Sequence, residues 1–195
     1  ISEKEKEIIA YHEGGHALVS LLVPGVDPLH KVSIIPRGIA SLGHTINVPL
    51  QDKYLHSKKE LVGNIIVFLG GRVAEILKFG DVTTGDQSDL EKASQLARAM
   101  VCQFGMSEEL GHLTFGKRNG LVFLGKDLTE ERNYSEETAK KIDDEVYKIV
   151  DECFQEAKRL LLENRDRLDL LAKTLREKEV LDGEAVKKLL GFQEK

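Results

Sequence analysis

The sequence predicts a mainly α chain: a helical domain with a small β element near a candidate active site and a C-terminal helical section. Three observations carry that expectation. Apolar residues recur at helical spacing over long stretches, most strictly at Leu61, Ile65, Leu69, Val73 and Leu77. Capping-box tetrapeptides, Ser2-Glu3-Lys4-Glu5 and Ser57-Lys58-Lys59-Glu60, open two of those stretches. Only two short runs, each stopped by a proline, read as strands.

The first helix is expected over residues 2–22, with Ile8, Ile9, Ala17, Leu18, Leu21 and Leu22 as its buried stripe. Pro24-Gly25-Val26-Asp27-Pro28 then turns the chain. Residues 31–35 read as a strand ending at Pro36, and residues 42–48 as a second, closed by Pro49. The two strands are expected to pair beside the first helix. The helix opened at Ser57 runs to near Gly80, and Gly63, Gly70 and Gly71 inside it suggest close packing on a neighbour. Ser88-Asp89-Leu90-Glu91 opens a third helix, with Leu90, Ala93, Leu96, Ala97, Met100, Val101 and Phe104 as its inner face and Gly105 as its stop. Residues 106–133 form a long glycine-containing segment with an Asn119-Gly120 turn signal, a hairpin or a loop. Residues 135–163 give the longest helix, Asn164 interrupts it, residues 165–177 continue as another, and Asp182 caps a last short one ending at Gly191. The expected division is a catalytic core over 1–134 and a C-terminal helical section of the same domain over 135–195.

At 195 residues, 41% hydrophobic and 31% charged, the composition suits an ordinary globular core. A net charge of −5 argues against a basic nucleic-acid surface. Cys102 and Cys153 lack CxxC spacing and read as small core residues in a reducing compartment. No run of about 18 apolar residues suggests a membrane span, no signal peptide opens the chain, and the start at Ile1 suggests an excised piece of something longer.

His12-Glu13-Gly14-Gly15-His16 carries the chemistry. Histidines four apart share one helix face, so both imidazoles can reach one Zn²⁺ at about 2.0–2.1 Å. Glu13 lies about 100° around the axis, free to take a proton from a water that zinc acidifies. Such a pattern also arises by chance around histidines that merely hydrogen-bond. The capping box and apolar stripe place it on a real helix. Gly14 and Gly15 each cost about 1 kcal/mol relative to Ala, which points to a close approach by another element or a substrate.

Two phosphate-loop look-alikes fail. In Gly38-Ile39-Ala40-Ser41-Leu42-Gly43-His44-Thr45 a histidine stands where lysine must reach phosphate, and in Gly120-Leu121-Val122-Phe123-Leu124-Gly125-Lys126-Asp127 an aspartate replaces the Mg²⁺-binding Ser/Thr. No nucleotide is expected to bind this chain. A catalytic zinc needs a third protein ligand and an open position. Val19 and Leu22 exclude the metzincin extension. His30, His44, His56 and His112 are unpatterned, and among the carboxylates Glu75 and Asp89 both lie on predicted helices. Spacing does not choose between them.

Several segments resemble, in order and over essentially the whole chain, the peptidase domain of FtsH-type AAA+ proteases. They are His12-Glu13-Gly14-Gly15-His16-Ala17, Lys31-Val32-Ser33-Ile34-Ile35-Pro36-Arg37-Gly38, Leu69-Gly70-Gly71-Arg72-Val73-Ala74-Glu75, Phe79-Gly80-Asp81-Val82-Thr83-Thr84-Gly85, Ser88-Asp89-Leu90, Tyr134-Ser135-Glu136-Glu137-Thr138 and Leu181-Asp182-Gly183. The resemblance implies zinc held by His12, His16 and Asp89, with Glu13 as general base and Glu75 behind them as a supporting or helix-packing residue, a weaker ligand candidate. It implies an endopeptidase for unfolded or membrane-extracted polypeptides, a homo-hexamer, and, in the full-length chain, an ATPase module and a membrane anchor with the peptidase on the cytoplasmic side; the fragment itself is expected to be soluble. The strand around Leu42, Gly43, His44 and Thr45 is expected to align substrate by β-addition. Two departures stand out: glycine at 14 where the family usually has alanine, and His44 where tyrosine is common. Two rival expectations are a helical scaffold with a merely structural HExxH and a zinc hydrolase of small amides.

Overall fold

The computed structural model describes residues 1–38, 41–118 and 130–193. Among the described residues six α-helices run in chain order: α1 (Glu3–Leu22), α2 (Lys58–Phe79), α3 (Gln87–Cys102), α4 (Glu136–Glu163), α5 (Arg165–Lys178) and α6 (Gly183–Leu190). Both capping boxes form: Ser2 and Ser57 accept from the backbone N–H groups of Glu5 and Glu60, whose carboxylates reach back to the cap N–H. Gly80, in the left-handed region at φ 69°, closes α2. The spacing-of-four residues of α2 are buried from Leu61 to Val73, and Leu77 packs on the same core.

α1 lies against α2 and α5, while α2 also packs on α3 and α4. The crossing of α1 and α2 is unusually tight. A Cβ on Gly15 would stand 2.4 Å from the Gly70 carbonyl oxygen and 2.7 Å from Ala74 Cβ, so only glycine permits this approach. Gly14 is different: its missing Cβ would meet Leu171 and Leu168 at 3.7–3.8 Å, ordinary contact distance. One buried cluster runs from Ile9 in α1 to Leu190 in α6, so the C-terminal helices complete the core around the HExxH helix.

The sheet has three strands in the order β2-β1-β5: β1 (Leu29–Ser33), β2 (His44–Asn47) and β5 (Val180–Asp182), with both pairings antiparallel. Its register aligns Val32 with Thr45 on one side and with Leu181 on the other. β1 starts and ends two residues before the predicted span of 31–35. The Ile35 N–H is taken by the Ser33 hydroxyl at 3.1 Å and Pro36 has no N–H, so the ladder stops. β2 is shorter than its predicted 42–48, because Ser41 turns its hydroxyl back onto the Gly43 carbonyl. β5 is not signalled by the sequence pattern; Glu179, at φ 67°, turns the chain out of α5 directly into it.

α3 ends at Cys102, short of the expected stop at Gly105, and Phe104 is 54% exposed instead of facing inward. In the 106–133 segment, β3 (Lys117–Arg118) pairs antiparallel with β4 (Glu130–Glu131). The Asn119-Gly120 turn and the run 120–127 lie outside the described residues. No helix among the described residues is long and apolar enough to cross a membrane.

Candidate active site

α1 presents His12, Glu13 and His16, each less than one-tenth exposed. The i, i+4 spacing sets the imidazoles one turn apart, edge to face, with centroids 4.7 Å apart. Each ring is fixed through Nδ1. His16 Nδ1 lies 2.7 Å from the Val67 carbonyl oxygen, and His12 Nδ1 lies 2.9 Å from Glu75 Oε2. A carbonyl only accepts, so His16 Nδ1 carries a hydrogen and Nε2 is the nitrogen turned outward. The Glu75 carboxylate imposes the same orientation on His12. Glu75 is itself only 1% exposed, and its other oxygen accepts from the Thr83 hydroxyl at 2.7 Å.

The third donor comes from α3. After α2 the chain makes a single 3-10 turn, Thr84–Asp86, whose buried Asp86 pairs with Arg72 of α2 at 2.6 Å. That pair and the Thr83–Glu75 bond tie the connection to α2, and Asp89 follows in the first turn of α3. Its Oδ2 lies 3.2 Å from His12 Nε2 and 3.1 Å from His16 Nε2, and the two Nε2 atoms are 3.0 Å apart. Among the described residues these three side chains form a group able to hold a metal ion, and Glu75 is not part of it. Glu75 sits on the other nitrogen of His12.

The donors suit zinc. Bonds of about 2.0–2.1 Å in a tetrahedron place ligand atoms about 3.3–3.4 Å apart, a few tenths beyond the spacings seen here. Three electron-rich atoms turned on one another repel unless positive charge, a proton or a metal ion, stands among them. The charge balance points the same way. Burial opposes a cation at His12, yet hydrogen bonds to Asp89 and Glu75, with Glu13 nearby, outweigh it and lift its pKa to about 10. Burial also opposes the Asp89 anion, but hydrogen bonds to both imidazoles hold its carboxyl well below the usual range. Carboxylates that stabilise positive charge on a buried imidazole this strongly favour a divalent cation for the same reason. The α2 backbone closes one wall: a Cβ on Gly71 would lie 2.6 Å from His16 Nε2 and 2.7 Å from His12 Nε2.

Glu13 stands beside this group and outside it. Thr45 of β2 donates its hydroxyl to Glu13 Oε2 at 2.7 Å. Of the other strand residues singled out from the sequence, Leu42 is 46% exposed, and Gly43 packs on the stem of Glu13. Neither ring nitrogen of His44 has a partner among the described residues; burial and then the Arg37 and Lys31 cations push its pKa down. The Val67 carbonyl, Thr83, the Arg72–Asp86 pair and the Thr45–Glu13 bond were not found from sequence. Contacts of this kind, across 51 residues for Val67 and 32 for Thr45, leave no local pattern; only the polar turn before Asp89 hinted that its approach is held.

Two imidazoles from one helix, a carboxylate from the start of another and a second carboxylate left out of the donor group define the class: an HExxH metallopeptidase domain. The chain belongs to peptidase family M41, whose sequence model matches residues 1–189. It is 53% identical over 190 residues to an ATP-dependent zinc metalloprotease FtsH of Thermotoga maritima, covering 97% of this chain and 31% of the relative. The proteins of the same name from Pseudothermotoga lettingae and Bacillus subtilis are 55% and 49% identical, with 97% of this chain and 30% of each relative covered. The chain thus spans about three-tenths of the length of these curated relatives. The family makes it a metalloendopeptidase domain and implies a zinc cofactor.

Proposed function

We propose that this chain is the proteolytic part of a longer ATP-dependent protease and cuts extended, unfolded polypeptide at a zinc ion held by His12, His16 and Asp89. The observation that carries the reading is the meeting of three donor atoms within 3.0–3.2 Å while Nδ1 of each imidazole is tied up elsewhere. Bound there, zinc supplies Lewis acidity to the scissile carbonyl and acidifies water. Glu13 takes a proton from the attacking water and passes it to the amine nitrogen that leaves. Glu75 holds His12 in the tautomer that binds metal, rather than binding it directly. β2 is an edge strand of its sheet, and the stretch from Leu42 to Thr45 that leads into it receives substrate as an added strand, which brings the peptide past Glu13.

In the longer protein, an ATPase module unfolds and feeds substrates, six copies enclose the cutting sites, and a membrane anchor keeps the peptidase on the cytoplasmic side. The name of the relatives and the three-tenths coverage support the first of these; the family resemblance supports the others.

Replacing Glu13 by Gln tests the central role. Digestion of unfolded casein by the zinc-loaded chain is expected to fall by about 10²–10⁴-fold, the usual contribution of a general base, while zinc stays bound at one per chain. Full activity in that variant, or activity of the parent chain that survives complete zinc removal, would refute the reading.

A further inference from the structure

We propose that Thr45 is a positioning residue for the general base: its hydroxyl fixes the Glu13 carboxylate so that one oxygen faces the reaction. The proposal rests on the role given to Glu13 above. Thr45 Oγ1 has a single hydrogen to donate, and its nearest acceptor is Glu13 Oε2 at 2.7 Å, with the Glu13 backbone carbonyl a longer second acceptor at 3.2 Å. Among the described residues no donor reaches Glu13 Oε1. One oxygen is therefore held and the other is left open for a proton.

The hydroxyl is itself held. Thr45 pairs with Val32 of the central strand, whose side chain is fully buried and which pairs with Leu181 of β5. Two residues earlier, the chain entering β2 lies against the carboxylate's stem. A Cβ on Gly43 would stand 2.9 Å from Glu13 Cγ, from Ile9 Cγ2 and from the Ser33 carbonyl oxygen. The stem thus has the Gly43 backbone on one side and its carboxylate is pinned at Oε2. A buried glutamate in a helix otherwise has several rotamers, so fixing one is the kind of orientation that a reaction geometry needs. Because Thr45 belongs to the edge strand assigned to substrate, a peptide added to that edge meets a base already aimed by the same strand. The hydroxyl proton is committed to Glu13, which leaves Thr45 a poor hydrogen-bond donor to substrate.

Two readouts test this. In steady-state cleavage of a fluorogenic peptide by the zinc-loaded chain, Thr45→Val is expected to lower kcat by roughly 10- to 100-fold, the scale of a small misplacement of a reacting group, with KM and zinc content essentially unchanged. Thr45→Ser keeps the hydroxyl and is expected to restore most of kcat. The second readout is a urea-denaturation cycle on the zinc-loaded chain with Thr45→Val, Glu13→Ala and the double variant. The two substitutions are expected to be non-additive, because the first removes the partner that the second also removes. A rise in KM with kcat preserved would make Thr45 a substrate contact and overturn the proposal. An additive cycle in an active enzyme would overturn it too, by removing the bond. A coupled cycle in a parent chain without zinc-dependent cleavage would overturn the reading of Glu13 as the base, and the role of Thr45 with it.

Discussion

Adjacent glycines in the HExxH motif make a demanding comparison, because the structure assigns them opposite tolerances. Alanine at Gly14 meets only Leu171 and Leu168 side chains at 3.7–3.8 Å. It gains helix propensity and loses unfolded-state freedom, worth about 0.4–1 kcal/mol in favour of the folded chain. For a chain of this size that raises the melting midpoint by roughly 1–4 °C. Alanine at Gly15 drives a Cβ to 2.4 Å from a backbone oxygen of α2 and 2.7 Å from Ala74 Cβ, and neither can rotate away. Overpacking of this kind costs about 1–3 kcal/mol, and a backbone obstacle puts it at the upper end. The midpoint should then fall by roughly 4–12 °C. Parting α1 from α2 also draws His12 away from Glu75, so zinc affinity should drop in Gly15→Ala and hold in Gly14→Ala. Circular-dichroism melts and competition titrations against a chromophoric zinc chelator read both quantities. A Gly15→Ala chain that melts at or above the parent with unchanged zinc affinity would refute the helix-crossing argument, as would a loss of several degrees in Gly14→Ala.

Further predictions concern the donors. Asp89→Asn is expected to weaken zinc binding by well over 100-fold, whereas Glu75→Gln, which only slackens the hold on His12 Nδ1, should cost about 10–100-fold; the same chelator competition gives both, and the reverse order would exchange the two roles. Because the His12 pKa stands near 10, the zinc-free chain holds a proton there at pH 7 that zinc must displace. Calorimetric zinc titrations in buffers of different ionisation enthalpy should report release of about one proton at pH 7 and a decline as the pH passes about 10. The sign for stability follows: a raised histidine pKa stabilises the zinc-free fold below its ordinary value of 6.5, and that contribution is lost as the pH rises through about 10. Urea midpoints of the chelated chain that are flat across that window would contradict the protonated His12.

What the sequence revealed follows from the range of the interactions involved. The HExxH face, the capping boxes at Ser2 and Ser57, and the Leu61-to-Leu77 stripe are contacts within one turn or two, so their spacing shows in the chain itself. The choice between Glu75 and Asp89 did not, since each is an acidic residue on a helix near a glycine-rich or polar turn. Which of them faces Nε2 and which faces Nδ1 depends on how α2 and α3 pack on α1, and resemblance to a family had to stand in for that packing. β5 escaped notice for a related reason: three residues, Val180–Asp182, become a strand only by pairing with β1, about 150 positions earlier. The strand limits at Ser33 and His44 were set by the side chains of Ser33 and Ser41, which take up or cap backbone groups that propensity alone assigns to the ladder. Thr45 was singled out as a substrate contact, and its hydrogen bond to Glu13 became visible only with the sheet laid against α1.

The most direct test of the account is an anomalous difference map collected across the zinc edge on crystals of the zinc-loaded chain. The expected result is one ion about 2.0–2.2 Å from His12 Nε2, His16 Nε2 and an Asp89 oxygen, with Glu75 still on His12 Nδ1. An ion bonded to Glu75, or one between the imidazoles with Asp89 out of bonding reach, would contradict it.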